Sequence, residues 1–251
     1  MSSSIRITNV SKRFKFVPLG GRRTLKEGVV GGLFHVNHER KIVEALSDVS
    51  FSVDGGQVLG VVGRNGSGKT TLMRLLAGVY SADEGTVEIE GGVTPLLALG
   101  AGFHPDLTGR ENARIELLVL GLTPRDIEKR MDEIIEFSEI GRFIDVPIRA
   151  YSAGMVMRLA FSAAMSVDPD ILLLDEVLAV GDEGFAAKCK ERIGSFKRHG
   201  KTIVLVSHNI ESIVAECDVA LWLDHGRVGA LGDPRTVVDA YCRSLESSPV
   251  G

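Results

Sequence analysis

The chain has 251 residues, of which 44% are hydrophobic, and this length allows one large domain or two small ones. Its 29 basic and 33 acidic side chains nearly balance, so nothing in the composition indicates the basic stripe of a nucleic-acid-binding protein, and no nucleic-acid partner is expected. Three distant cysteines are typical of reduced thiols rather than of a disulfide framework or a zinc site. The sequence has no signal peptide pattern and no apolar run near the roughly eighteen residues that span a bilayer, so we expect a partner to do any membrane crossing.

Two segments that alternate apolar and polar residues predict half-buried strands near the N-terminus. The first covers residues 5–10, and the second carries Leu46, Val49, Phe51 and Val53. Residues 17–43 between them are rich in glycine and basic residues and contain an apolar patch. A connection this long is often functional, although a mobile surface insertion explains these residues equally well.

Residues 63–71, GRNGSGKTT, fit the phosphate-binding pattern G-x-x-x-x-G-K-[ST]. We call them the phosphate loop. Apolar residues 58–62 predict a buried strand before it, and leucines at helical spacing predict a helix after it. The alternative, a glycine-rich turn with a chance lysine, is weaker because strand, loop and helix occur together. The residues expected to bind the nucleotide are Gly63, Arg64, Asn65, Gly66, Ser67, Gly68, Lys69, Thr70 and Thr71.

The chemistry of this loop follows from its residue types. Glycines let backbone N–H groups approach the phosphates, and the helix N-terminus adds its positive dipole. Lys69 supplies a point charge to the β- and γ-phosphates, and the hydroxyl of Thr70 is a ligand for Mg²⁺.

The centre of the chain predicts helices. Residues 86–90 predict a strand and residues 100–105 a loop, and helical patterns then continue to about residue 165. One helix covers residues 111–122, and another begins with Thr123 as the N-cap and Pro124 at the first position. We expect a helical subdomain at about residues 93–165.

An α/β pattern resumes after this block. Predicted strands cover residues 171–174 and 202–206, with a helix at about 183–197 between them. Residues 219–223 and 227–231 flank a turn, a last helix runs to about residue 244, and residues 246–251 are expected to fray.

Polar side chains follow two of these strands. Asp175 and Glu176 come after the first, and His208 comes after the second. Side chains at the carboxyl ends of parallel strands face the ligand crevice of an open sheet. We expect Asp175 to hold Mg²⁺ and Glu176 to polarise the attacking water, the alternative being a helix N-cap pair. We expect His208 to contact the γ-phosphate, although a lone histidine is more often structural.

Together these motifs resemble those of the nucleotide-binding subunit of an ATP-binding cassette (ABC) transporter. Residues 63–70 resemble the Walker A motif and residues 171–175 the Walker B motif, which makes Glu176 the catalytic glutamate and His208 the switch histidine.

The same resemblance implies roles for four further residues. On its own, the segment 151–155 indicates only a helix start. The resemblance makes its Ser152 and Gly154 part of the family signature, usually Leu-Ser-Gly-Gly-Gln. It also places Asp182 at the end of the D-loop and stacks Phe14 on adenine, where tyrosine is usual. The glutamine that most cassettes carry near residues 99–100 is absent, so no Mg²⁺ ligand is expected there.

A closer resemblance is to exporters of O-antigen, capsule, galactan or teichoic acid polymers. It is carried by residues 58–65, 100–112, 151–155 and 175–182, and by the long insertion between the first strands. The alternatives are a drug or small-solute exporter, and a soluble ABC protein acting on ribosomes or DNA. The latter usually has two cassettes or long coiled-coil insertions.

The expected fold is α/β: a P-loop NTPase core of the ABC-cassette type with an N-terminal antiparallel β subdomain and an inserted helical subdomain. One domain is expected over residues 1–251, without a C-terminal carbohydrate-binding domain. The resemblance implies ATP and Mg²⁺ as cofactors and a head-to-tail homodimer, with each ATP between one subunit's phosphate loop and the other's Ser152 and Gly154. It further implies two copies of a polytopic transmembrane permease, a lipid-linked glycan as substrate, and a cytoplasmic location on the inner face of the plasma membrane.

Overall fold

The computed structural model describes residues 3–16, 41–97, 99–175 and 182–247. Over these residues the chain forms two β-sheets and seven α-helices. The strands are β1 Ser4–Phe16, β2 Lys41–Val53, β3 Val58–Val62, β4 Glu84–Glu90, β5 Val93–Leu96, β6 Ile171–Asp175, β7 Thr202–Val206, β8 Val219–Asp224 and β9 Arg227–Gly232. The helices are α1 Lys69–Leu76, α2 Gly109–Val119, α3 Pro124–Ser138, α4 Ala153–Ser166, α5 Glu183–Arg198, α6 Ile210–Glu216 and α7 Pro234–Ser247.

The first sheet has three antiparallel strands in the order β2-β1-β4. Ile7 at its centre pairs with Phe51 on one side and Val87 on the other, and it is buried with the other apolar residues of that face. Leu46 and Val49 both point inward although they are three residues apart, because left-handed Asp48 and the nearby register shifts reverse the alternation. This sheet is the antiparallel subdomain expected from the sequence.

The second sheet has six strands in the order β5-β6-β7-β3-β8-β9, and all pairs except β8–β9 are parallel. Every residue of β3 and β7 is buried. Continuous apolar runs form such strands because helices and the other sheet cover both faces. The topology confirms the predicted α/β fold and brings the carboxyl ends of β3, β6 and β7 to one edge.

The helices α2, α3 and α4 enclose a separate apolar core that includes Met131, Ile134 and Leu159. The predicted start of α3 is observed, with the hydroxyl of Thr123 accepting a hydrogen bond from the N–H of Asp126. Residues 93–96, which the sequence grouped with this subdomain, lie instead in the six-stranded sheet as β5. They do so because Val93 to Leu96 pair in register with Ile171 to Leu174.

Helix α6 is an element that the sequence pattern did not indicate. It has only seven residues, and Asn209 caps it by accepting a hydrogen bond from the N–H of Ser212. No helix within the described ranges is long and apolar enough to cross a membrane. Glu176, most of the insertion at 17–43 and the tail from residue 248 lie outside the described residues.

Candidate functional site

The phosphate loop joins the end of β3 to the start of α1. Gly68 is the N-cap of α1 and has a left-handed φ of 106°. Lys69 follows it, and its side chain folds back across the loop. The Nζ atom donates hydrogen bonds to the carbonyl oxygens of Gly63 at 2.7 Å and Arg64 at 3.0 Å. The lysine is only 8% exposed, so its positive charge is held against the backbone carbonyl groups of the loop.

Three glycines of this loop serve two purposes. A Cβ atom on Gly63, which has a φ of 152°, would lie 2.3 Å from the carbonyl oxygen of Leu223. One on Gly68 would lie 2.6 Å from the carbonyl oxygen of Ala45. Both residues must be glycine because the loop packs directly on β8 and β2. Gly66, with a φ of 79°, has no atom within 4 Å of its Cβ position, so its backbone stays open to a ligand.

A cavity of about 380 Å³ lies in front of the phosphate loop, and we call it the first cleft. Adjacent strands explain why it gathers residues that are distant in sequence: Asp175 at the end of β6 pairs with Val206 at the end of β7, and His208 follows closely. The predicted site residues that line it are Asn65, Gly66, Gly68, Lys69, Thr70, Thr71, Asp175 and His208.

The first cleft suits a hard divalent cation such as Mg²⁺. Thr70 and Asp175 line the same cavity, and their side chains carry the oxygen atoms that this ion prefers as ligands. Among the residues described, no group of three or more His, Cys, Asp and Glu side chains forms a metal cage. Mg²⁺ usually keeps several waters and phosphate oxygens as ligands, so two protein oxygens are a sufficient fit.

Phe14 lies on β1 opposite Val43, which lines the first cleft. Its half-buried ring contacts Tyr80 edge-to-face, with ring centroids 5.2 Å apart, and the Nζ atom of Lys12 lies 5.6 Å from its centroid. Phe14 itself does not line the cavity. The structure therefore brings it beside the cleft, one strand away from the lining.

Ser152, Gly154 and Asp182 lie elsewhere, in a second cleft of about 540 Å³. Ser152 caps α4 by accepting a hydrogen bond from the N–H of Met155 at 3.2 Å. Asp182 caps α5 by accepting one from the N–H of Phe185 at 3.0 Å, and this bond, with the nearby Arg158 guanidinium, lowers the pKa of its carboxyl group. The full lining is Glu139, Ile140, Phe143, Ser152, Gly154, Met155, Arg158 and Asp182.

The two clefts share no lining residue. The chain therefore presents the predicted site residues as two separate sets, one around the phosphate loop and one around the start of α4. Arg158 was not identified from the sequence. The sequence around Arg158 indicates only a helix, and it does not show that this side chain contacts Asp182 at the start of α5.

Glu116 on α2 is a second residue that the sequence did not indicate. It lines a cavity of about 190 Å³ beside residues 99–103, and burial raises the pKa of its carboxyl group to about 8. Its Oε2 atom is buried and has no hydrogen-bond partner in the described part of the chain. The neighbouring apolar side chains Ile115, Leu118 and Val119 are exposed. An apolar surface with one buried acid thus lies next to the loop that lacks the usual glutamine.

The Ser67 region links the phosphate loop to both sheets. The N–H of Gly226, in the turn between β8 and β9, donates to the carbonyl oxygen of Ser67 at 3.0 Å. The carbonyl oxygen of the same glycine accepts from the N–H of Ser47 on β2 at 2.8 Å. Backbone hydrogen bonds therefore fix the loop from behind, which leaves its front for a ligand.

Comparison with known proteins gives consistent results. A family model described as "ABC transporter" matches residues 46–179. The O-antigen export system ATP-binding protein RfbB of Klebsiella pneumoniae is 40% identical over 250 residues, which are 98% of this chain and 100% of that protein. An O-antigen export system ATP-binding protein RfbB of Myxococcus xanthus is 49% identical over 83% of this chain, which spans only 48% of that longer protein.

Solved structures show the same fold. An ATP-binding cassette in a dimeric post-hydrolysis state, bound to ADP and Pi, is 21% identical to this chain with a TM-score of 0.71. The match covers 92% of this chain and 99% of that one. At this level of identity the likeness supports the architecture alone.

Proposed function

Because this chain belongs to the ABC transporter family, we propose that it is the ATP-hydrolysing subunit of an exporter that moves a lipid-linked cell-surface polysaccharide. The main observation behind the proposal is the relative from Klebsiella pneumoniae, which is similar over its whole length and bears the name of an O-antigen export ATP-binding protein. The first cleft supports the chemical part, because it combines a phosphate loop, an acidic strand end and a histidine.

In this proposal the first cleft binds the triphosphate of ATP. Backbone N–H groups of the loop and the charge of Lys69 hold the β- and γ-phosphates. Thr70 and Asp175 hold Mg²⁺, which when bound neutralises charge on the phosphate oxygens. His208 contacts the γ-phosphate, and Glu176 orients the water that attacks it.

We further propose that the chain works as a head-to-tail homodimer. The first cleft has no residue from the second, and the second cleft holds Ser152 and Gly154 at an exposed helix start with space in front of it. Two copies in head-to-tail contact would cover each ATP with the partner's second cleft. Phe14 would then stack on adenine beside the first cleft.

The membrane step is assigned to another protein. The described residues contain no membrane-spanning helix, so the proposal needs a polytopic permease, two copies of which would receive the motion of the dimer. The chain would act at the cytoplasmic face of the plasma membrane, where ATP is available. The surface of α2 with exposed Ile115 and Val119 and the insertion at 17–43 are the candidate contacts.

The proposal is tested with the chain and a candidate polytopic permease in vesicles that contain lipid-linked glycan. We expect Mg²⁺- and ATP-dependent movement of the glycan across the bilayer. The Glu176→Gln variant should bind ATP, accumulate as an ATP-bound dimer and turn over more slowly by orders of magnitude. Near-normal turnover by that variant would remove Glu176 from the mechanism. Transport of drugs but not of glycan, or copurification with ribosomes, would refute the export of polysaccharide.

A further inference from the structure

Arg158 joins three helices at the second cleft. It lies on α4, and its Nη1 atom donates to Oε2 of Glu139 at 3.0 Å, at the C-terminal end of α3. Its Nη2 atom donates to Oδ2 of Asp182, at the N-terminal end of α5. The guanidinium also lies over the ring of Phe185, 4.8 Å from its centroid. The arginine side chain is only 18% exposed, so these contacts are partly shielded from water.

The two carboxylates that Arg158 binds are themselves fixed by the ends of helices. Asp182 uses Oδ1 to cap α5 and Oδ2 to bind the arginine, so each oxygen has a separate partner. Glu139 ends α3 in a left-handed conformation with a φ of 57°, and its Oε1 accepts a hydrogen bond from Lys188 at 3.1 Å. Any shift of α4 relative to α3 or α5 must therefore break or move these hydrogen bonds.

The sequence positions of Asp182 and of α4 explain why the contact between Arg158 and Asp182 matters for function. Asp182 ends the segment that begins with Glu176, and α4 begins directly after Ser152. In the proposed head-to-tail dimer, Glu176 acts on the ATP bound to its own subunit, whereas Ser152 contacts the ATP bound to the partner. The residues serving two different nucleotides thus meet within one subunit.

Building on the proposed function, we propose that Arg158 is a positioning residue that links the two nucleotide sites of the dimer. It holds Asp182 against α4, the helix that Ser152 caps. A displacement of α4 by closure on one ATP would thereby be transmitted to Asp182, which follows the general base for the other ATP by six residues in the sequence. Arg158 itself touches neither nucleotide.

Arginine suits this task better than lysine. Its flat guanidinium donates to two carboxylates from separate nitrogens while its face rests on an aromatic ring. The ammonium group of a lysine is a compact point charge with a shorter reach to both sides, so it cannot keep all three contacts. Arg158→Lys therefore retains the charge and removes the link.

The test compares Arg158→Lys with Asp182→Asn and with a matched control. The Asp182→Asn variant still caps α5, since asparagine is as good an N-cap as aspartate, but it lacks the carboxylate that binds Arg158. Arg192→Lys is the control because Arg192 also joins the same three helices. It lies on α5, and its Nη2 donates to Glu133 of α3 at 2.8 Å and to the carbonyl oxygen of Met165 of α4 at 3.2 Å.

ATP hydrolysis by the full chain, ATP binding and thermal unfolding are measured for each variant. We expect kcat to fall by about tenfold in Arg158→Lys and in Asp182→Asn, with ATP affinity unchanged and Tm close to that of Arg192→Lys. The double variant should be no slower than either single one, because both remove the same link. The Hill coefficient for ATP should fall toward one.

Two outcomes would overturn this inference. If Arg192→Lys reduced kcat as strongly, the effect would be general loosening of the three helices. If the two single effects multiplied in the double variant, Arg158 and Asp182 would act independently. Both outcomes leave wild-type hydrolysis intact and so leave the proposed function standing, whereas a wild-type chain that did not hydrolyse ATP would refute both proposals.

Discussion

The Nζ atom of Lys69 lies 2.7 Å from the carbonyl oxygen of Gly63, so the lysine closes the loop to which it belongs. Its charge is stabilised by two carbonyl dipoles and has little contact with water. A phosphate that enters the first cleft meets a cation already in position. Little side-chain entropy is then lost on binding.

Replacing Lys69 with methionine should weaken ATP binding. The change removes a charge-assisted hydrogen bond, worth about 1.5–3 kcal/mol, which corresponds to roughly 10- to 150-fold in Kd. Calorimetric titration of the full chain with Mg-ATP measures this directly. The fold should survive because methionine has a similar length and fills the same space. Unchanged affinity in a folded variant would contradict the role of Lys69.

Alanine at Gly63 and at Gly66 should have different effects. At Gly63 a Cβ atom would overlap the carbonyl oxygen of Leu223, so we expect Gly63→Ala to lower Tm by several degrees, since it strains the contact with β8. At Gly66 the space is open, so the cost is only that of a positive φ, roughly 1 kcal/mol. Thermal unfolding of the two variants decides the matter, and equal destabilisation would contradict this account.

Glu116 should make stability depend on pH. The unfolded chain loses this proton near pH 4.5, whereas burial keeps it on the folded chain up to about pH 8. Between these values the folded state binds more protons, so stability falls as pH rises, and the loss is complete above about pH 8. Glu116→Gln should remove this dependence and be more stable than the wild type by on the order of a few kcal/mol at pH 9.

The measurement for Glu116 is Tm at pH 5, 7 and 9. The difference between Glu116→Gln and the wild type should grow over this series. Glu136→Gln, on the exposed face of α3, serves as the matched control for the loss of one helical carboxylate. A constant difference across the series would mean that Glu116 ionises normally in the folded chain.

Phe14→Ala should weaken ATP binding modestly. Stacking of an aromatic ring on a base contributes on the order of 1 kcal/mol, or about fivefold in Kd. Phe14→Tyr keeps the ring and should bind as the wild type does. The alanine variant also loses the contact with Tyr80, so its Tm should fall as well. Lower stability without any loss of affinity would make Phe14 a packing residue only.

The sequence predicted those features that depend on neighbouring residues. The phosphate loop, the capped start of α3 and the apolar strands are each specified within about ten residues, where periodicity and capping rules apply. Asp175 and His208 could also be predicted to meet, because the carboxyl ends of parallel strands lie at one edge.

Contacts between distant segments could not be predicted in this way. The ion pair of Arg158 with Asp182 depends on how α4 lies against α5, and the burial of Glu116 depends on the loop before α2. Nothing near either residue in the sequence indicates its environment. Helix α6 was missed for a related reason, since seven residues are too few for a clear helical period.

In the proposed head-to-tail dimer, the separation of the two clefts has a genetic consequence. In a homodimer of Lys69→Met subunits both phosphate loops are defective, and in a homodimer of Gly154→Asp subunits both second clefts are defective. Either allele alone should therefore abolish export. In a mixed dimer both defects lie at one ATP site, and the other site keeps an intact phosphate loop and an intact second cleft. Two inactive alleles expressed together should therefore complement each other in part, whereas two alleles altered in the same cleft should not.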